Sequence, residues 1–100
     1  LSSWNVSAVR DMRWMFRRAL SFNQALDLWD TGNVTDMTGM FEGAMAFNQK
    51  IGNWDTSRVT SMGSMFLDAL SFNQPIGSWC VSAVVDLSRM FSRAASFSQR

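Results

Sequence analysis

MFRRALSFNQ at residues 15–24 returns as MFEGAMAFNQ at 40–49, MFLDALSFNQ at 65–74 and MFSRAASFSQ at 90–99. Each return comes 25 residues after the last, and the whole chain aligns without a gap in four rows: 1–25, 26–50, 51–75 and 76–100. Some columns never vary. One is Trp4, Trp29, Trp54 and Trp79; others are Phe16, Phe41, Phe66 and Phe91, then Phe22, Phe47, Phe72 and Phe97. Met15, Ala19, Val9 and Gln24 head the remaining fixed columns, the last continuing as Gln49, Gln74 and Gln99. Asn23, Asn48 and Asn73 form a nearly fixed column that ends in Ser98. A gapless period of this kind marks a chain of stacked coils, in which one unit cannot bury its apolar side alone.

The fixed columns are mostly apolar and the changing ones mostly polar, which separates inside from outside. Arg17, Glu42, Leu67 and Ser92 share one tolerant column, and Arg18, Gly43, Asp68 and Arg93 another. Asn and Gln ladders, turned inward, would bond the amides of neighbouring coils and satisfy the bends between them.

Met37, Met40, Phe41 and Ala44 sit at i, i+3, i+4 and i+7, the spacing of one helix face. That spacing predicts a short helix near 11–20, 36–45, 61–70 and 86–95. Thr35 and Thr60 would cap two of them, and Asp11, Asp36 and Asp86 would favour a first turn. The segments FNQALDLW, FNQKIGNW and FNQPIGSW predict one short strand per coil in a parallel ladder. Val34-Thr35-Asp36-Met37 fits either a helix start or a second strand. The expected fold is therefore α/β: a right-handed leucine-rich-repeat-like solenoid of four coils, each with a strand and a helix, in a single segment spanning 1–100. Leu1 reads as a cut edge, and the four whole periods lack a polar cap at either end, which predicts a piece of a longer array or copies stacked end to end.

The motif V-T-x-M-x-x-M-F-x-x-A-x-x-F-N-Q-x-I-x-x-W-D-T-S resembles that of the BspA-type leucine-rich-repeat surface proteins, in their mycoplasma-lipoprotein and protist variant. The matching residues are Val34-Thr35-Asp36-Met37, Met40-Phe41, Ala44, Phe47-Asn48-Gln49, Ile51 and Trp54-Asp55-Thr56-Ser57. The pattern covers all four rows, with local departures at Arg10, Trp14, Cys80-Val81 and Val85. The resemblance implies a leucine-rich-repeat-like fold, an extracellular or cell-surface setting, adhesive or structural roles, and no enzymatic activity.

The composition excludes some chemistry directly. The chain has no His, so Ser–His and Cys–His pairs cannot form. A formal net charge of +1 lacks the basic excess of nucleic-acid binders. No apolar run is long enough to span a bilayer as a helix. Asp11, Asp36 and Asp86 could hold Ca²⁺ if stacked, but Ser61 interrupts them and solvated helix starts explain them better. No catalytic, metal or cofactor site is expected. Cys80 takes the place of Asn or Asp at a turn and reads as an incidental replacement. The Arg13, Arg17 and Arg18 cluster reads as a solvated face before an anion site.

Three residues carry readings beyond packing. Trp14 shares a column with Gly39, Ser64 and Arg89, so it points outward as a contact residue. Asn5-Val6-Ser7 and Asn33-Val34-Thr35 are N-glycosylation sequons, glycosylated only if a eukaryotic cell secretes the chain. The sequence thus predicts a non-enzymatic extracellular or surface scaffold for adhesion or structure. Its alternatives are the subunit of an end-to-end stacked, sugar-coated filament and an intracellular interaction module. The partners expected are neighbouring repeats or copies of itself, with host or matrix proteins or glycans, and no nucleic acid.

Overall fold

Met37-Thr38-Gly39-Met40 and Phe41-Glu42-Gly43-Ala44 are two turns joined directly. Met40 N–H donates to Met37 O at 3.1 Å, and Ala44 N–H to Phe41 O at 3.0 Å. The third residue of each turn is left-handed, with φ +60° at Gly39 and +70° at Gly43. A left-handed third residue is the mark of a type II turn. The computed structural model describes residues 4–98. It places Trp14, Arg18, Ser64, Asp68, Arg89 and Arg93 at the matching positions, all with φ between 56° and 59°.

This overturns the expectation of an α/β, right-handed leucine-rich-repeat-like solenoid with a strand and a helix in each coil, including the helices near 11–20, 36–45, 61–70 and 86–95. Among the described residues there is no helix, and the β pairing is limited to isolated parallel bridges: Asp11 with Asp36, Asp36 with Ser61, and Ser61 with Asp86. An α-helix needs φ near −63° at every residue and an i→i−4 bond from each amide. A left-handed residue at every fourth position forbids both. The double turn still puts Met37, Met40, Phe41 and Ala44 on one side, because a β-turn brings its first and fourth residues together. It therefore mimics the i, i+3, i+4, i+7 pattern without being a helix.

The backbone amides of this stretch alternate in their partners. Met37, Gly39, Phe41 and Gly43 donate across to Ser61, Gly63, Met65 and Leu67 at 2.7–3.0 Å, while Met40, Glu42 and Ala44 close turns within the rung. The same cross-links join residues 12–18 to 36–42 and residues 62–68 to 86–92. One bond per junction runs the other way: Thr35 N–H to Arg10 O, Thr60 N–H to Thr35 O and Val85 N–H to Thr60 O, at 2.7–2.8 Å. Thr35 and Thr60 are thus not helix caps. Their hydroxyls donate to the same carbonyls, Arg10 O and Thr35 O, at 3.2 and 3.1 Å. The V-T-x-M segment carries the bridges, and the FNQ segment, where a strand ladder was expected, carries none.

Turns make the remaining corners. In the rung 51–75, Trp54 N–H bonds Ile51 O, Val59 N–H bonds Thr56 O, Met65 N–H bonds Met62 O and Phe72 N–H bonds Ala69 O, at 3.0–3.2 Å. All eight of those residues are buried. The recurring residues are the inner ends of turns, and most of the variation between rungs falls at the outer two positions of each turn.

The core is a slab of aromatic rings. Phe41 lies on Phe47 within its rung at 4.1 Å, and the pair repeats as Phe66 on Phe72. Between rungs, Phe41 stacks on Phe66 at 5.7 Å, Phe47 on Phe72 at 6.0 Å and Trp29 on Trp54 at 6.4 Å. Separation is smallest beside the backbone cross-links and largest at the Trp column. There the gap is spanned by side chains: Trp54 Nε1 donates to Leu26 O and Trp79 Nε1 to Ile51 O, both at 3.0 Å. Thr31 and Thr56 are the buried polar residues among those described, and their hydroxyls donate to Asp55 O and Cys80 O at 3.1 and 3.0 Å. No buried side-chain N or O among the described residues lacks a partner.

Candidate interaction surface

The Asn and Gln ladders lie at the surface, not inside. Asn23 Oδ1 accepts Asn48 N–H at 2.9 Å and Gln49 Nε2–H at 3.1 Å. Asn48 Oδ1 accepts the same two bonds from Asn73 and Gln74. Asn73 Oδ1 accepts Ser98 N–H at 3.1 Å, so Ser98 ends the ladder as a donor. These side chains do along the FNQ segment what a strand ladder would do with backbone alone. Gln24 is exposed, while Leu1 and Gln99 lie outside the described residues.

Trp14 is half exposed, yet its ring is not free of the protein. A Cβ built on Gly39 would sit 2.3 Å from Trp14 Cδ1, so the indole lies across the glycine of the next rung. The Arg13 guanidinium sits 5.6 Å from the ring centroid, within cation–π range. Arg13 also forks onto Asp11 at 2.9 Å and approaches Asp36 at 3.9 Å. The Arg13 fork holds the Asp11 carboxyl below its ordinary range. Arg17 pairs with Glu42 at 2.6 Å, and Arg93 with Asp68 at 2.8 Å. Two of the three cations in the first rung's cluster are therefore already engaged by carboxylates.

The carboxylates are turn acceptors. Asp36 Oδ1 accepts Thr38 N–H and its hydroxyl at 2.9 and 2.6 Å, and Asp86 does the same for Ser88. Asp55 Oδ1 accepts both donors of Ser57, which hold its carboxyl low, as Ser88 does for Asp86. No group of three metal-ligating side chains occurs among the described residues. Cys80 stands in the Asp55 column, exposed and free, with Sγ 3.3 Å from Ser82 Oγ. That hydroxyl lowers the thiol's pKa.

The two sequons differ. Asn5 is exposed and its Oδ1 accepts Ser7 N–H and Oγ–H, which turns the amide nitrogen away from the turn. Asn33 Nδ2, the atom a glycan would occupy, donates to Ser7 O at 2.7 Å, and its Oδ1 accepts from Arg58.

Sequence reasoning missed a stripe and a hollow. Leu20 and Met45 are exposed, Leu70 is half-buried and Ala95 exposed, so one uniformly apolar column faces outward. It occupies the outer part of the turn between Ala19 and Phe22, which the turn bonds alone would have located. Leu28 and Val85 are also exposed, each an apolar residue in a column otherwise polar, a signal that was readable. A hollow of about 360 Å³ lies between Asp27, Lys50, Gly52, Asn53, Gln74 and Pro75. Gly52 is required there, since a Cβ would meet Pro75 O at 2.5 Å. Its ammonium, carboxylate and amides offer hydrogen-bond donors and acceptors.

A family model described as "Mycoplasma protein of unknown function, DUF285" matches residues 1–100. The chain belongs to that family. No curated protein and no solved structure matches it. In this DUF285 chain no described helix is long and apolar enough to cross a membrane.

Proposed function

We propose that the chain is a non-enzymatic repeat scaffold, displayed outside the cell or on its surface, that adheres through its outward turn positions. One observation carries this reading: the inner ends of the turns hold the same residue or one of similar shape from rung to rung, while most outer positions change character. A frame that is constant inside and varied outside is suited to presenting contacts, with binding left to side chains such as Trp14. The likeness to BspA-type surface repeats, carried by Val34-Thr35, Met40-Phe41, Phe47-Asn48-Gln49 and Trp54-Asp55, supports the adhesive and extracellular parts.

The test is binding of the labelled chain to arrays of matrix proteins and glycans, beside a Trp14→Ala variant and a Leu20→Ser, Met45→Ser variant. Adhesion through this surface predicts retained ligands for the parent and at least a tenfold weaker signal for one of the variants. A parent that retains no ligand, or variants that bind as the parent does, would refute the reading. Antibody labelling of intact source cells tests the location; signal only after permeabilisation would remove the surface setting.

A further inference from the structure

The hollow beside Gly52 lies where rung 26–50 meets rung 51–75, and each of those rungs has another beyond it. Asp27, Gly52 and Gly77 share a column, so the side chain of Asp27 has no counterpart in the two rungs that follow. None can be added at Gly52, where a Cβ would meet Pro75 O at 2.5 Å. The ring of Pro75 fixes its own φ and stiffens that wall. The polar set belongs to this junction. One rung earlier, Ala25 and Leu28 stand in the places of Lys50 and Asn53; one rung later, Gly52 and Pro75 stand in those of Asp27 and Lys50.

The two amides of the hollow are already oriented by the frame. Asn53 Nδ2 donates to Asp27 O at 2.8 Å, and Gln74 Nε2 donates to Asn48 O and Oδ1, both at 3.0 Å. Each amide therefore spends its nitrogen on the rung before and keeps its oxygen as a spare acceptor. The Asp27 carboxylate and the Lys50 ammonium have no hydrogen-bond or ion-pair partner among the described residues, and they are not paired with each other. One hollow thus holds a negative group, two amide oxygens and a positive group, none of them satisfied by the protein. An ammonium offers three N–H donors and no acceptor, and a carboxylate only acceptors. The first matches Asp27 with the two amide oxygens, and the second matches Lys50. Hydrogen bonds between charged partners are roughly twice as strong as neutral ones. A neutral sugar would use the amide oxygens and leave both charges unmatched.

We propose that this hollow binds a free α-amino acid with a short side chain. Asp27, Asn53 and Gln74 receive its ammonium, and Lys50 receives its carboxylate. The Pro75 ring and the bare backbone of Gly52 offer an apolar surface to a short aliphatic side chain. The volume of about 360 Å³ lies near the lower limit for ligand sites, which fits a single amino acid better than a longer peptide. Asp27 and Lys50 are both exposed, so the contacts are screened and binding weakens as salt rises. The inference goes beyond the adhesive scaffold and does not depend on it.

Amide NMR titration of the 100-residue chain with L-alanine provides the test. Saturable shifts are expected at Gly52 and Asn53, with the amides of the Val34-to-Thr38 segment unmoved. Two comparators need no mutation: N-acetylalanine lacks the ammonium and alaninamide lacks the carboxylate, and each should bind at least tenfold more weakly. Asp27→Asn and Lys50→Gln should each weaken alanine at least tenfold while the rest of the spectrum stays native, since both side chains are exposed. No saturable shift at the hollow with alanine at tens of millimolar overturns the proposal. So does equal binding of alanine and both comparators, or alanine binding that survives both substitutions. Saturation by glucose with none by alanine also overturns it, because the hollow would then recognise hydroxyls and not charges.

Discussion

Trp54 and Trp4 occupy one column, yet Trp54 is 4% exposed and Trp4 55%. Phe66 and Phe91 differ in the same way: Phe66 has ring neighbours on both sides, at 5.7 and 5.5 Å, and Phe91 on one side. The inner rungs 26–50 and 51–75 and the outer rungs 1–25 and 76–100 have nearly the same inward residues. The difference lies in their neighbours. A rung of turns has no interior of its own, so burial is a property of the junction and the core grows with each rung added.

The largest expected effect tests that contrast. Phe66→Ala should cost about 3–5 kcal/mol as a truncation in a closed core. Phe91→Ala should cost roughly half as much, because one face of its ring already meets solvent. Urea melts of both variants measure the ratio, and equal losses would break the comparison between inner and outer rungs.

Next come the double turns. Gly39→Ala should cost about 1–3 kcal/mol, from the left-handed backbone and from collision with the Trp14 indole. Gly43→Ala keeps only the backbone share, about 1 kcal/mol, since the nearest Arg18 atom is 3.4 Å from a built Cβ. A Trp14→Ala background should bring the two substitutions level. If Gly39→Ala stayed the costlier of the two there, the indole would not be the cause.

The acidic turns give a pH dependence of smaller size. Asp11, Asp55 and Asp86 are held below the ordinary carboxylate value of 3.8 by their bonds to Arg13, Ser57 and Ser88. Below that value the unfolded chain takes up protons first, so stability falls with pH. The contribution is whole above pH 4 and fades as pH drops through the lowered folded values. Urea midpoints should be level from pH 7 to pH 5 and decline below pH 4. Asp55→Asn with Asp86→Asn keeps the acceptors and should flatten that acid limb.

The smallest effect marks the outer turn positions. Leu67→Ala should change stability by less than about 0.5 kcal/mol, as expected where a turn faces outward. A loss near that of Phe66→Ala, read in the same melts, would erase the distinction between inner and outer turn positions.

Much of this was legible in the rows. The Phe and Trp columns announced the stacked slab, and the tolerant Arg17 and Arg18 columns announced the outside. The helix was misread because a period argument sees only which residues share a side. Met37, Met40, Phe41 and Ala44 share one in a helix and in a pair of type II turns alike. The discriminating signal lay in the Gly39 and Gly43 columns, but each holds one glycine only, beside Trp14, Ser64 and Arg89 in the first and Arg18, Asp68 and Arg93 in the second, residues not tied to left-handed backbone strongly enough to decide it. The interaction surface was less legible. Trp14 stood out as a singular aromatic, but nothing in its column showed that Gly39 receives its ring.

The sequence by itself determined the 25-residue period and the identity of the inward apolar residues, because stacking copies must match like with like, but it did not place the Asn and Gln columns, which lie at the surface. Tertiary structure alone decided where each amide goes. Within a rung an amide can close a turn or reach the next rung, and both satisfy it equally well locally. The choice is made only when a second rung presents its carbonyls 2.7–3.0 Å away, and that choice replaced a helix and a strand with a ring of turns.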